Sequence, residues 1–293
     1  MKIDYISDLH IDFYIKETSN IEKLNSLIDS LISKILNNDL TNRDILIIAG
    51  DLGHYFSMDS RFLIRMKEIY NEVILVGGNH DLYLVSNNQQ SKYQYDSFNR
   101  QREMKYFCKS KEIHYLDGNT VNIRGINFSG LAMSWDMAYA KSLFDDISVG
   151  EVMGHWENVM NDANLIFQDG KRNMKIPVAY GGYYKEVSFK PLDYFMTQYE
   201  KLSNIMDTDV MITHYGPKIP DCLPDYYKNI TSTFYFFDGL SIIDKLKPKY
   251  WVYGHTHRII NETYNGCNLL CNPFGYPNEV KGSGLSTFEI EEL

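Results

Sequence analysis

Asp44-Ile45-Leu46-Ile47-Ile48-Ala49-Gly50-Asp51-Leu52-Gly53-His54 is the stretch that decides the fold. Ile45 to Ala49 are all apolar, with no alternation of polar and apolar positions. That is the pattern of a strand buried on both faces. The strand then breaks on a glycine and an aspartate. The same phrase recurs along the chain. Lys2 to Ile6 runs into Asp8-Leu9-His10, and Val73 to Val76 runs into Gly78-Asn79-His80-Asp81. Val210 to Thr213 runs into His214, and Tyr250 to Tyr253 runs into Gly254-His255-Thr256-His257. Strands of this kind form parallel sheets, and ligand sites gather at their carboxyl ends. Five separated segments therefore deliver polar groups to one edge.

The segments between the strands read as crossover helices. Ile21 to Leu36 repeats apolar residues at helical spacing, and Ser60 to Tyr70 reads as a second helix with Ser60 as its N-cap. The first third is thus β-α-β-α-β, an α/β pattern. A polar helix is expected over Ser91 to Cys108. Two strands joined by a turn are expected over Val121 to Asp136, in a second sheet. Pro191 to Met206 reads as an amphipathic helix with proline near its first turn. Asn265-Gly266 marks a two-residue hairpin, and Leu285 to Ile290 reads as the last strand. Residues from about Ala138 to Ser188 hold His155, Trp156, several tyrosines and the pair Gly181-Gly182. They are expected to form helices and irregular loops that cap the site and govern substrate choice. The whole of 1–293 reads as one domain, with this insertion at about 138–188.

Composition narrows the class. With 44% apolar residues the chain can bury a full core. A net charge of −9 counts against broad nucleic-acid binding, which favours a basic face. No apolar run approaches the ~20 residues of a membrane helix. The four cysteines form no CxxC pair and read as buried free thiols. A first strand starting at Lys2 leaves no room for a signal peptide, so a cytoplasmic setting is expected.

Each polar cluster alone is an ordinary turn; their shared position behind strands carries the chemistry. Asp8 and Asp51 offer hard oxygens, Asn79 a carbonyl, and His10, His214, His255 and His257 imidazoles. Mixed nitrogen and oxygen donors without sulfur suit two divalent ions, Mn²⁺ above all, with Fe, Zn²⁺ or Co²⁺ as alternatives. Metals ~3.5–4 Å apart clamp a phosphoryl group and turn a bridging water into a hydroxide nucleophile. Asp51 is the candidate bridge. His80 is placed to protonate a leaving group, with Asp81 orienting it. His54, Tyr215 and Phe274 are candidate substrate contacts.

The set D-x-H, G-D, G-N-H-D, H and G-H-x-H, in that order from Asp8 to His257, resembles the calcineurin-like metallophosphoesterase family. The resemblance implies a four-layer α-β-β-α sandwich with a dinuclear site at the strand ends. It implies that Asp8, His10, Asp51 and His257 hold one metal, and that Asp51, Asn79, His214 and His255 hold the other. It makes His80 the catalytic histidine. Three positions depart from the family pattern. His54 stands where many members carry an acidic residue or arginine. Asp12 replaces the glycine of D-x-H-x-G, a form frequent in family nucleases. Phe274 occupies the middle of Asn272-Pro273-Phe274-Gly275-Tyr276, where arginine is common.

The expected activity is a metal-dependent phosphohydrolase, a phosphodiesterase on a small nucleotide or other organic phosphate. A DNA or RNA nuclease of the same family is the alternative, disfavoured by Asp12 and by the lack of a basic tract. A non-catalytic scaffold is disfavoured because every expected ligand and His80 are present.

Overall fold

Successive residues of each central strand face opposite ways, and the two sets bury in different cores. In β1 (Lys2–Ile6), Ile3 and Tyr5 join one core while Ile6 joins another. In β2 (Arg43–Ala49), Ile45 and Ile47 face with Ile3, and Leu46 and Ile48 face with Ile6. In β3 (Tyr70–Val76), Ile74 and Val76 divide from Val73 and Leu75 in the same way. This double burial is why these strands lack polar alternation. The computed structural model describes residues 1–293 except 38, 40, 42, 178–182, 280–283 and 293, and for 175–177 and 183–185 it describes the backbone only.

The remaining strands follow in chain order: β4 (His114–Leu116), β5 (Asn119–Ile123), β6 (Ile126–Leu131), β7 (Met174–Pro177) and β8 (Tyr183–Glu186). After these come β9 (Val210–Thr213), β10 (Tyr250–Tyr253), β11 (Ile260–Tyr264), β12 (Cys267–Cys271) and β13 (Ser286–Glu289). One sheet has the order β13-β1-β2-β3-β4, and the other has β11-β12-β10-β9-β6-β5. The centre of each is parallel: Ile3 pairs Ile45, Ile47 pairs Ile74, and Met211 pairs Trp251. The edge strands β13, β5 and β11 run antiparallel to their neighbours.

The sheets stack face to face. Ile3, Ile47 and Ile74 of the first share one core with Phe128, Val210, Ile212, Val252 and Leu270 of the second. Helices Ile21–Ile35 and Phe56–Ile69 cover the outer face of the first sheet through Leu24, Ile28, Phe62 and Leu63. Helices Val149–Val159 and Leu240–Leu246 cover the outer face of the second, with Val152, Trp156 and Ile243 against Met211 and Trp251. The result is the expected four-layer α-β-β-α sandwich. No helix among the described residues is long and apolar enough to cross a membrane.

Several local expectations needed correction. The second helix starts at Phe56, so Ser60 lies inside it and is not its cap. The polar helix is two helices, Asn87–Lys92 and Ser97–Ser110, because Gln94 and Tyr95 turn left-handed (φ 57° and 53°) and Asp96 caps the second. Cys108, Cys267 and Cys271 are buried thiols as expected, but Cys222 is exposed. The Asn265-Gly266 hairpin forms, with φ 47° and 83° suiting a primed turn. The 138–188 segment holds helices Ala138–Leu143, Val149–Val159 and Asp162–Leu165, and also the unforeseen β7-β8 hairpin. The Gly181-Gly182 pair lies outside the described residues.

Ile47 has no exposure and sits between the two sheets, whereas Ile21 is 58% exposed. Ile47→Ala should cost about 2–5 kcal/mol in denaturant unfolding, and Ile21→Ala within about 0.5 kcal/mol of nothing. Equal costs would contradict the central core.

Candidate metal centre

Five of the expected ligands occupy a conformation that side chains usually avoid. Asp8, His10, Asp51, His255 and His257 have φ of 51°, 42°, 56°, 69° and 50°. Left-handed backbone at non-glycine residues costs on the order of 1–3 kcal/mol each and collects at functional sites. Here it reverses the chain just past β1, β2 and β10, turning the side chains back over the sheet edge. Gly50 precedes Asp51 at φ 87°, and its α-carbon packs against the His214 ring, leaving no space for a side chain.

The convergence is tight. Asp8, His10 and His257 form one set of donors, and Asp51, His214 and His255 another, with donor atoms within 4.8 Å of each other in each set. His10, Asp51 and His80 form a third such set between them. Asp51 Oδ2 lies 3.3 Å from His214 Nε2 and 3.8 Å from His10 Nε2. Its other oxygen accepts the His80 backbone N–H at 2.9 Å. One carboxylate oxygen thus stands between both donor sets. Asn79 Oδ1 lies 3.1 Å from His214 Nε2. Asp8 Oδ1 lies 3.5 Å from His257 Nε2, and both Asp8 oxygens accept the His255 N–H at 3.1 Å.

The outer nitrogens of the histidines show which atoms are free to bind. His214 Nδ1 donates to Ala49 O at 2.9 Å, and His255 Nε2 donates to Phe234 O at 3.1 Å. His257 Nδ1 is 2.6 Å from Glu279 Oε2. Each outer partner is an acceptor, so each inner nitrogen keeps its lone pair for the centre. His10 Nε2 and His257 Nε2 then face each other at 3.1 Å, while buried His10 Nδ1 has no partner among the described residues. Lone pairs and carboxylates crowded this way need positive charge between them, and the donor set fits two divalent cations.

The titration of these groups says the same. Burial acts first to push the His214 and His257 imidazoles down. The Asp51 carboxylate beside His214, and the Asp8 carboxylate beside His257, override it and raise each to about 9. Burial alone would raise Asp8, yet the His257 contact brings it down to about 2. Burial dominates at His255, which falls to about 3, and it lowers His80 too.

His80 is held from an unexpected side. Its Nδ1 is 2.9 Å from His54 Nε2, and His54 Nδ1 is 2.7 Å from Asp12 Oδ2. Asp12 Oδ1 also accepts the His54 N–H at 3.0 Å. Asp81 does not orient His80. Its carboxylate accepts the backbone N–H groups of Gly78, Asp51 and Leu52 at 2.7, 3.0 and 3.1 Å, because neighbours one residue apart on a 3₁₀ turn do not face each other. Buried Arg100 pins the same two loops through Gly53 O, His80 O and Asp81 O, and pairs with Asp59 at 3.0 Å.

A cleft of about 860 Å³ opens from Asp51, Asn79, His80, His255 and His257. Its walls include Met160, Asn161, Leu223, Tyr235, Arg258 and Tyr276. None of the three expected substrate contacts lines it. His54 is buried behind His80. Tyr215 is buried with its ring 4.3 Å from His255. Phe274 packs in the outer helical core with Tyr14, 4.8 Å away. Gly275 turns left-handed (φ 71°) between them, so Tyr276 does not share the face of Phe274 and meets the site instead, stacking 4.4 Å from the His10 ring. Of the tyrosines in the 138–188 segment, the side chains of Tyr183 and Tyr184 lie outside the described residues. Tyr276, Glu279, Arg258, Arg100 and Asp162 were missed in the sequence. Arg258 could have been found from its place right after His257, and Asp162 from nothing local.

The pattern of the calcineurin-like phosphoesterase family matches residues 1–258. An uncharacterised protein of Acanthamoeba polyphaga mimivirus is 28% identical over 284 residues, spanning 94% of this chain and 91% of its own. Among solved structures, the phosphopantetheinyl hydrolase of Mycobacterium tuberculosis superposes with a TM-score of 0.64 at 18% identity, across 98% of this chain and 95% of its own. That likeness speaks for the fold. With the match spanning most of its length and the donor clusters in place, the chain belongs to the calcineurin-like phosphoesterase family and is a phosphoric ester hydrolase.

Proposed function

We propose that this hydrolase is a phosphodiesterase acting on a small nucleotide or another organic phosphate, through a dinuclear centre that takes Mn²⁺. Asp8, His10, Asp51 and His257 hold one cation; Asp51, Asn79, His214 and His255 hold the other. The observation that carries the reading is the cleft. It holds about 860 Å³ and its lining joins the expected ligands Asp51, Asn79, His255 and His257 to Met160, Leu223 and Arg258, a volume that accommodates organic groups beside a phosphoryl group. The superposed structure is named as a phosphopantetheinyl hydrolase. A substrate with a charged group and an organic arm suits a cleft whose walls mix Met160 and Leu223 with Asn161 and Arg258. The segment at about 138–188 acts as a cap within the single domain, contributing Val159, Met160 and Asn161 to the wall.

Bound cations would supply Lewis-acid charge and activate water. The chain's own groups do the rest. His80 Nε2 faces the cleft, 3.4 Å from the Tyr276 hydroxyl. Asp12 accepts Nδ1–H of His54, which leaves His54 Nε2 to accept from His80 Nδ1. His80 Nδ1–H is thereby directed at His54 and its Nε2 lone pair faces the cleft, so the ring hands a proton to the departing oxygen from its imidazolium form, in which Nε2 is protonated as well. Arg258 lies over the Tyr227 ring at 4.2 Å and donates to that hydroxyl. Among the described residues it has no carboxylate partner within ion-pair distance, so it is free to meet an anionic group of the substrate.

The test is hydrolysis by the Mn²⁺-loaded protein of matched nitrophenyl diesters and monoesters, nucleotides, dinucleotides and single-stranded DNA. Small diesters should be turned over fastest. Preference for monoesters would remove the diesterase reading, and steeply salt-dependent DNA cleavage would favour a nuclease.

Elemental analysis after Mn²⁺ reconstitution should give about two metals per chain. Asp51→Asn should weaken both sites, because its one oxygen lies between them. His257→Ala should weaken mainly one. A fully active protein with one metal would end the dinuclear reading.

His80→Ala should keep both metals. It should lose ~10²–10⁴-fold in rate on alkyl or ribosyl esters, which need a proton on the leaving oxygen, and less on a nitrophenyl ester. Equal losses would assign His80 to charge stabilisation instead.

A further inference from the structure

The Asn79 amide has two faces, and only its carbonyl can bind a cation. Something must hold that face toward the centre. Asp162 does so from a distant part of the chain, 83 residues further on. It begins the one-turn helix Asp162–Leu165 in the segment that walls the cleft, and it is 1% exposed. Its Oδ1 accepts Asn79 Nδ2–H at 2.8 Å and the Tyr83 hydroxyl at 2.5 Å. Tyr83 is buried as well, and its oxygen lies 3.2 Å from the same Nδ2. Oδ1 is the acceptor in both contacts, and an amide donates only through its nitrogen. The NH₂ group therefore sits on the Asp162 side. Oδ1 is left facing His214 Nε2, 3.1 Å away, beside the Asp51 oxygen.

We propose that Asp162 is a positioning residue of the metal centre: it fixes the Asn79 amide so that its oxygen meets the cation held with His214 and His255. This rests on the dinuclear reading above. Without the carboxylate, rotation about the last Asn79 torsion presents N–H groups to the cation and repels it. Outer partners of metal ligands typically contribute 10–100-fold in affinity. The neighbouring Asn161 lines the substrate cleft. One short helix thus carries a substrate wall and a metal-site support on adjacent residues, so the capping segment contributes to chemistry as well as to specificity.

The experiment is calorimetric titration of Mn²⁺ into the metal-stripped full chain, comparing wild type with Asp162→Ala, Asp162→Asn, Asn79→Ala and the Asn79→Ala/Asp162→Ala double variant. Wild type should take up two ions. Asp162→Ala should weaken one site about 10–100-fold and leave the other unchanged. Asn79→Ala should weaken the same site, and the double variant should lose little more than Asn79→Ala alone, since both changes remove one interaction. If Asp162→Ala does not fold, Asp162→Asn, of the same shape, should still show a smaller loss confined to that site, since a neutral amide oxygen accepts more weakly. Two wild-type affinities in the Asp162 variants would overturn the inference, as would equal weakening of both sites together with a lowered melting temperature. Fewer than two ions in wild type would instead overturn the dinuclear reading beneath it.

Discussion

Asp51 is the constraint on which the rest of the structure depends. Its carboxylate is 1% exposed, has one oxygen between two imidazole nitrogens, and spends the other on the His80 N–H. A buried charge in this position is tolerable only with positive charge beside it. Much around it serves that need. The Gly78 and Asp51 backbone N–H groups point at Asp81 and thereby fix the loop that carries Asp51. Gly78 itself has to be bare, because a Cβ there would stand 2.6 Å from the Asp51 nitrogen. The Asp51 and Asp8 carboxylates hold the His214 and His257 imidazoles above the usual histidine range in spite of burial, a measure of how strongly they favour positive charge beside them.

That demand explains the strain at the strand ends. Parallel strands bring their carboxyl ends to one edge, but continuing straight they would carry Asp8, Asp51 and His255 past each other. Left-handed turns at five ligand positions fold the side chains back. A double sheet buried on both faces is rigid enough to hold such turns, and helices Ile21–Ile35 and Phe56–Ile69 brace it from outside. Strain of this kind persists only where the surroundings over-determine it.

The parts legible in the sequence were those set by local pattern. Unbroken apolar runs such as Ile45 to Ala49 identified the parallel strands, and Asn265-Gly266 identified the hairpin. The seven expected donors converge, six in the His and carboxylate clusters and Asn79 through its carbonyl beside His214, because each follows a strand of this kind. What failed was set by tertiary contact. Asp81 was expected to orient His80 because it is adjacent in sequence, yet the orienting group is His54, 26 residues away, with Asp12 behind it. Phe274 was named because it fills the position of the turn where arginine is common, but which residue of the turn meets the site depends on where the turn docks. Here docking is fixed by hydrogen bonds from the Phe274 and Gly275 N–H groups to Ser7 O and Asp8 O. Asp12 was noticed only as a departure from glycine, and its use as a carboxylate became visible once His54 was in place.

The two departures, Asp12 and His54, make sense as a pair. A glycine at position 12 would leave His54 Nδ1 without its acceptor, and the tautomer of His54 would be free. With Asp12 present, both its oxygens bind His54, one at the ring and one at the backbone. The imidazole is thereby locked in rotation as well as in tautomer. Its far nitrogen is fixed against His80, and the two rings lie 5.0 Å apart, nearly parallel at 22°. A histidine in this position relays the Asp12 carboxylate to His80 through an imidazole ring in place of a direct contact. The negative charge of Asp12 is kept one ring further from the phosphoryl site. That is the better arrangement where an anionic substrate must approach a crowded cluster of carboxylates, since repulsion between like charges grows as the separation falls.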